Sequence, residues 1–322
     1  MAGKSRHVIA VTRKLPESVE QRIIGQYQAK MNESDTILTA AELIERAQGC
    51  EGLLVSPTEK IDADLVGKLP DSVRIIATFS VGYDHIDVPA AKARGLIVTN
   101  TPDVLTDATA DIAMLLLLGA ARGAYWGERM VREKRWAAWA PTHPLGFDVT
   151  GRRLGILGMG RIGQAVAKRA RGFDMKVHYH GRKRIDPADE QGAIFHADIN
   201  DFLKHCDFLS INCASTPQTR GLINEERIAQ MPDGAILVNS ARGDIVDDDA
   251  LIAALKSGKL AAAGLDVFKG EPNIDPRYRA LENVFLLPHL GSATLGTREG
   301  MGNRAVDNLD AFFAGRAPKD AL

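Results

Sequence analysis

The chain has 322 residues, 45% of them hydrophobic and 25% charged, and 40 Lys+Arg against 41 Asp+Glu leave a net charge of −1. That balance excludes a globally basic, nucleic-acid-coating surface, and the longest apolar run, residues 112–121, falls short of the ~20 residues needed to cross a hydrocarbon core. At about 150 residues per domain the length accommodates two domains, each able to bury a core of its own.

The first seven residues, Met-Ala-Gly-Lys-Ser-Arg-His, are polar, so no secretory signal is expected and neither is a membrane partner. Apolar strands are expected at 7–12, 52–55, 73–79, 97–100, 153–157, 176–180, 208–212, 235–239, 262–265 and 284–287. Helical periodicity occupies 17–27, 40–47, 107–131, 161–171 and 249–256, and a last helix spans 294–313 with no strand after it. Continuously apolar strands separated by helices read as βαβ units, hence an α/β protein with parallel sheets covered on both faces. The Trp- and Pro-bearing stretch 136–144 reads as an irregular loop between the long helix and the next sheet. Cys50, Cys206 and Cys213 are odd in number and irregularly spaced, which fits reduced thiols in a cytoplasmic protein better than a disulfide framework or a zinc site.

The strongest local signal is Gly158-Met-Gly160-Arg161-Ile162-Gly163, a G-x-G-x-x-G between an apolar strand and an amphipathic helix. Gly158 permits the tight turn, Gly160 lets backbone approach a pyrophosphate, and Gly163 allows close helix–strand packing. Glycines also mark plain turns, but the order strand, loop, helix favours a dinucleotide site. The following strand should end at an acidic residue if the ligand were NAD, yet the sequence there is Gly-Arg182-Lys183-Arg184. Three cations suit a 2′-phosphate, so NADP(H) is favoured with NAD(H) possible; a solvated basic loop is the plainer alternative.

Three further segments follow strands of the same sheet. Arg242, in Asn-Ser-Ala-Arg-Gly, stands at the carboxyl edge, where it can clamp a carboxylate or simply cap the sheet. Glu271 precedes a proline beyond another strand, and His289 lies between a strand and a small-residue turn. His7, His85, His143, His178, His180, His196 and His205 lack a comparable setting. His178 and His180 are taken to point to opposite faces of their strand, and no metal centre is expected.

In order and spacing, Phe79-Ser-Val-Gly-Tyr-Asp-His-Ile-Asp, Asn100-Thr-Pro-Asp-Val-Leu-Thr-Asp, the glycine loop, Asn239-Ser-Ala-Arg-Gly, Gly264-Leu-Asp-Val-Phe and Pro288-His-Leu-Gly-Ser-Ala-Thr resemble the D-isomer-specific 2-hydroxyacid dehydrogenases, and among them the glyoxylate/hydroxypyruvate reductases. The resemblance implies two doubly wound parallel-sheet domains. A Rossmann-type cofactor domain, 101–289, is inserted into a discontinuous flavodoxin-like substrate domain, 1–100 with 290–322. It implies hydride transfer from NADPH to a small 2-keto acid, with Arg242, Glu271 and His289 as the catalytic set: His289 the proton donor, Glu271 its partner and Arg242 the carboxylate anchor. Backbone N–H groups of Val81 and Gly82 would complete the substrate site. Thr109, Cys213, Ala214, Ala241, Asp266, Gly291 and Ser292 match cofactor contacts. The resemblance further implies a homodimer and suggests that Trp139 reaches the partner's substrate site, although a loop tryptophan can merely anchor its loop. An NAD-dependent dehydrogenase for a bulkier acid or D-3-phosphoglycerate is the alternative activity. A dinucleotide-sensing corepressor on the same fold is the alternative of another class.

Overall fold

The computed structural model describes residues 6–142 and 144–322; the N-terminal five residues, within the stretch expected to carry no secretory signal, and His143 lie outside the described residues. Two compact units emerge, Met1–Leu105 with Ala293–Leu322, and Thr106–Ser292.

In the first unit β1 (Val8–Val11), β2 (Gln28–Lys30), β3 (Gly52–Val55), β4 (Ile75–Thr78) and β5 (Ile97–Thr99) form one sheet in the order β2-β1-β3-β4-β5. Every pairing is parallel, and the order is that of flavodoxin-like folds. Alternation along the strands feeds two cores. Ala10, Leu53, Val55 and Ile76 join the core with Leu43, Leu65 and Ala91, whereas Ile9, Val11, Leu54 and Ile75 join the other, with Val19, Ile23 and Met301. The last helix, Leu295–Phe313, supplies Met301, Ala305, Val306 and Leu309 to that second core, so a helix without a strand of its own is used to cover a sheet made earlier. Gly302 permits the approach, since a Cβ there would lie 2.7 Å from the Val19 methyls.

The second unit holds β6 (Arg153–Leu157), β7 (Lys176–His180), β8 (Ile194–Phe195), β9 (Phe208–Ile211), β10 (Ala235–Asn239), β11 (Leu260–Leu265) and β12 (Val284–Leu286). They form a parallel sheet in the order β12-β11-β10-β9-β6-β7-β8. The chain direction across the sheet reverses between β6 and β9, the switch point at which open α/β sheets bind ligands beyond the strands' carboxyl ends.

Three expectations are corrected. β2 and β8, of three and two residues at sheet edges, were not expected, because strands so short carry no readable alternation. The helix expected over 107–131 is two, Thr106–Ala121 and Ala124–Arg132, bent by 69°. Gly123 makes the break: its φ is +62°, and a Cβ there would overlap the Trp126 indole. No single described helix is long and apolar enough to cross a membrane. Finally, His178 and His180 share a face instead of opposing one another, as the two-residue period of a strand requires. His178 Nδ1 lies 2.9 Å from His196 Nε2, and His180 Nδ1 donates to the His196 carbonyl at 2.9 Å.

Candidate active site

The end of β6 turns through Gly158, whose φ is +98° and whose missing Cβ would sit 2.7 Å from the Cys213 nitrogen. Only glycine meets both demands. Gly160 caps the helix Arg161–Arg171, and a Cβ built there meets nothing within 4 Å, leaving the helix N-terminus open to an anion. Gly163 lies buried under the loop, its absent Cβ 2.2 Å from the Gly158 carbonyl oxygen. Ile162 packs into the core beneath, and Arg161 is exposed. This cradle has the shape and donors that a pyrophosphate requires. Gly163→Ala is expected to cost about 1–3 kcal/mol of stability through overpacking, with weaker nicotinamide-cofactor binding; thermal unfolding and cofactor titration check both.

At the tip of β7 the three cations part company. Arg182 and Lys183 are exposed and form no ion pair among the described residues. Arg184 instead forks onto Glu190, Nε to Oε1 at 2.7 Å and Nη2 to Oε2 at 2.8 Å, while Glu190 also accepts from the Tyr179 hydroxyl at 2.6 Å. Hydrogen bonds from Arg184 and Tyr179 hold the Glu190 carboxyl down to about 2. Sequence reading missed Glu190, since five residues, the last three in the short helix Pro187–Glu190, separate it from Arg184 and conceal the pairing.

Past β9, Cys213 backs the glycine turn, with burial pushing its thiol up to about 11; Ala214 is exposed beside it. Past β10, Asn239 shapes the loop carrying Ala241 and Arg242. Its side chain donates to the Arg242 carbonyl at 2.9 Å and accepts from the Ala241 N–H at 3.0 Å. Asn239 received no role from sequence, although it heads the motif that singled out Arg242.

Glu271 and His289 meet. His289 Nδ1 donates to Glu271 Oε2 at 2.7 Å, and Glu271 Oε1 accepts from the Phe268 N–H at 2.6 Å. A carboxylate can only accept, so the proton on Nδ1 leaves Nε2 as the working nitrogen. Burial raises the Glu271 carboxyl, but the hydrogen bond and charge of His289, the Phe268 N–H and the charge of Arg242 outweigh it, and the net shift is downward. His289 has φ +56°, a backbone conformation uncommon for a histidine, and its N–H donates to the Asp266 carbonyl at 2.8 Å. The Asp266 carboxylate accepts from the N–H groups of Leu290 at 2.6 Å and Gly291 at 2.8 Å, although burial leaves its pKa above the ordinary value. Thr109 Oγ1 donates to the Gly291 carbonyl at 2.9 Å. Both residues therefore fix the turn that presents His289, Gly291 and the half-exposed Ser292.

In the first unit, the Ser80 hydroxyl donates to the Gly82 carbonyl at 2.6 Å and Asn100 Nδ2 to the Val81 carbonyl at 2.8 Å. A trans peptide sets N–H opposite C=O, so pinning the Val81 carbonyl turns the Gly82 N–H away from Asn100. Trp139 is 80% exposed.

Residues 114–291 match the family "D-isomer specific 2-hydroxyacid dehydrogenase, NAD binding domain". The chain is 45% identical over 320 residues to a glycerate dehydrogenase of Hyphomicrobium methylovorum, covering 99% of both proteins. It is 42% identical to a glyoxylate reductase of Pyrococcus horikoshii, covering 96% of this chain and 94% of that protein. A solved NADPH-dependent glyoxylate/hydroxypyruvate reductase from Sinorhizobium meliloti, in complex with NADP and malonate, superposes with a TM-score of 0.89 at 35% identity, over 99% of this chain and 97% of that one.

Proposed function

The chain belongs to the D-isomer specific 2-hydroxyacid dehydrogenases, and from that premise we propose that it reduces glyoxylate and hydroxypyruvate to their 2-hydroxy acids with NADPH. The observation that carries the reading is the Glu271–His289 hydrogen bond of 2.7 Å, on the sheet edge that also presents Arg242 and the glycine cradle. When bound, the nicotinamide supplies a hydride to the keto carbon. Gly158, Gly160 and Gly163 with the helix N-terminus would hold its pyrophosphate, while Thr109, Cys213, Ala214, Ala241, Asp266, Gly291 and Ser292 are proposed as further cofactor contacts, some through the turns they shape. Arg242 binds the substrate carboxylate as a fork, and the N–H groups of Val81 and Gly82 are proposed as substrate donors. Glu271 orients the imidazole through its hydrogen bond to Nδ1. His289 delivers the proton to the keto oxygen, and in the reverse direction the same nitrogen removes it.

Support for the substrates comes from the names of the relatives: glyoxylate reductases and a glycerate dehydrogenase, whose acid is reduced hydroxypyruvate. Glyoxylate, hydroxypyruvate, pyruvate and a bulky 2-keto acid, each assayed with NADPH and NADH, test the proposal. The first two should turn over fastest, and a preference for the bulky acid would overturn it. Trp139 is proposed to narrow the site from a second copy of the chain. Exposed Leu115, Val131, Trp136, Trp139, Leu145 and Phe147 give a homodimer apolar surface to cover. A cytoplasmic location agrees with the buried free thiols of Cys50 and Cys206.

For the 2′-phosphate, Arg182 and Lys183 are the readers, and Arg184 supports their loop through Glu190. Arg182→Ala should raise KM for NADPH roughly tenfold, the loss of one charge-assisted contact, and leave KM for NADH unchanged. Arg184→Ala should instead lower thermal stability, with the smaller effect on cofactor preference.

The depressed Glu271 carboxyl sets a pH expectation. Its folded pKa lies below the unfolded value, about 4.3, so its contribution is complete above that value and is lost only as pH falls below it. Reductive kcat/KM should therefore show no acid-side loss through Glu271 down to about pH 5. Glu271→Gln should lower kcat at every pH, which a pH profile of both proteins checks.

A further inference from the structure

Four of the chain's eight histidines, His178, His180, His196 and His205, gather on the face of β7 covered by the helix Ile199–Leu203, away from every group assigned above to substrate. The rings of His178 and His205 stack at 5.0 Å and 2° between planes, and those of His196 and His205 lie 4.9 Å apart. Asp201 closes the group, its Oδ2 2.8 Å from His196 Nδ1. One ligand atom from each of His196, Asp201 and His205 can be chosen so that all three lie within 4.8 Å of one another.

We propose that His196, Asp201 and His205 bind a transition-metal ion of the zinc class, with His178 as the hydrogen-bond partner that orients His196. Two imidazoles and one carboxylate are the donor set of zinc, nickel and copper, whereas magnesium and calcium prefer an all-oxygen shell. Ligands at ~2.0–2.2 Å from a tetrahedral ion stand about 3.3–3.6 Å apart, so the 2.8 Å between His196 Nδ1 and Asp201 Oδ2 must open by less than about 1 Å. The ion takes the place of the hydrogen between those two atoms, and the bound His196 is the neutral imidazole with its one hydrogen on Nε2. His196 keeps a hydrogen bond through its other nitrogen, Nε2, 2.9 Å from His178 Nδ1, the second-sphere support that metal-bound histidines usually have. His196 is buried, His205 half-buried and Asp201 exposed, so an ion entering from the Asp201 side meets the carboxylate first. The expectation of no metal centre rested partly on His178 and His180 facing apart, which they do not.

An ion here would clamp residues 196–205 to one another, with the His196–His178 hydrogen bond holding them against β7, which ends two residues short of Arg182. The site is separate from the hydride chemistry and is tested without it. The full chain, stripped with chelator and dialysed, is titrated calorimetrically with zinc chloride, with magnesium chloride in parallel. Wild type should take up one zinc per chain and no magnesium. Asp201→Asn and His205→Gln should each weaken that uptake at least tenfold, and the double variant should lose it, while all keep the wild-type circular dichroism and reductase rate. No saturable zinc uptake, or uptake unchanged in the double variant, overturns the proposal; the latter result would place the ion elsewhere, for instance between Glu271 and His289.

Discussion

Replacing His289 by asparagine is expected to lower kcat/KM for 2-keto acid reduction roughly a hundred- to ten-thousand-fold, the range that a positioned general acid contributes. Asparagine is the informative replacement for a backbone reason. Residue 289 has φ +56°, where asparagine is among the few side chains that sit readily, while alanine would add strain to the loss of the imidazole. The turn itself does not depend on the ring: the residue's N–H donates to the Asp266 carbonyl, and the Asp266 carboxylate holds the next two N–H groups. The variant should therefore bind NADPH as wild type does, by fluorescence titration, and unfold at nearly the same temperature. Full turnover would remove His289 from the mechanism. Loss of cofactor binding together with turnover would show that the ring shapes the turn after all.

Arg242→Lys is expected to have the next largest effect, in a different parameter. Lysine keeps the charge but offers a point where the guanidinium offers a planar fork, and a carboxylate held in two hydrogen bonds loses one of them along with its orientation. Each charge-assisted hydrogen bond contributes about 1.5–3 kcal/mol, so kcat/KM should fall by roughly one to two powers of ten, chiefly through KM for the keto acid. The loop should hold, because Asn239 grips the backbone on both sides of Ala241 whatever side chain follows. Unchanged KM for glyoxylate in this variant would mean that another group binds the carboxylate.

The sheets were legible because buried parallel strands are apolar throughout: β3, Gly-Leu-Leu-Val, and β4, Ile-Ile-Ala-Thr, announce themselves without alternation. Two- and three-residue edge strands leave no such trace, and the bend at Gly123 was hidden because apolar periodicity runs across it. At the site, residue types and motif order singled out Arg242, Glu271 and His289, and the structure brings Glu271 to His289. Other features depend on partners that a linear reading does not pair. Arg184 looks like a phosphate reader until Glu190 folds back onto it. Asp266 looks like a ligand contact until both its oxygens are seen holding backbone. His178 and His180 of β7 meet His196 and His205 only because residues 196–205 fold over the strand.

Whether the chain is an NADPH-preferring glyoxylate reductase is read from the absorbance of reduced nicotinamide while the purified wild-type chain is mixed with glyoxylate and either NADPH or NADH. NADPH should be consumed with formation of glycolate, at a kcat/KM at least several-fold above that with NADH. Failure to consume NADPH with glyoxylate, or a strong preference for NADH, would contradict this expectation.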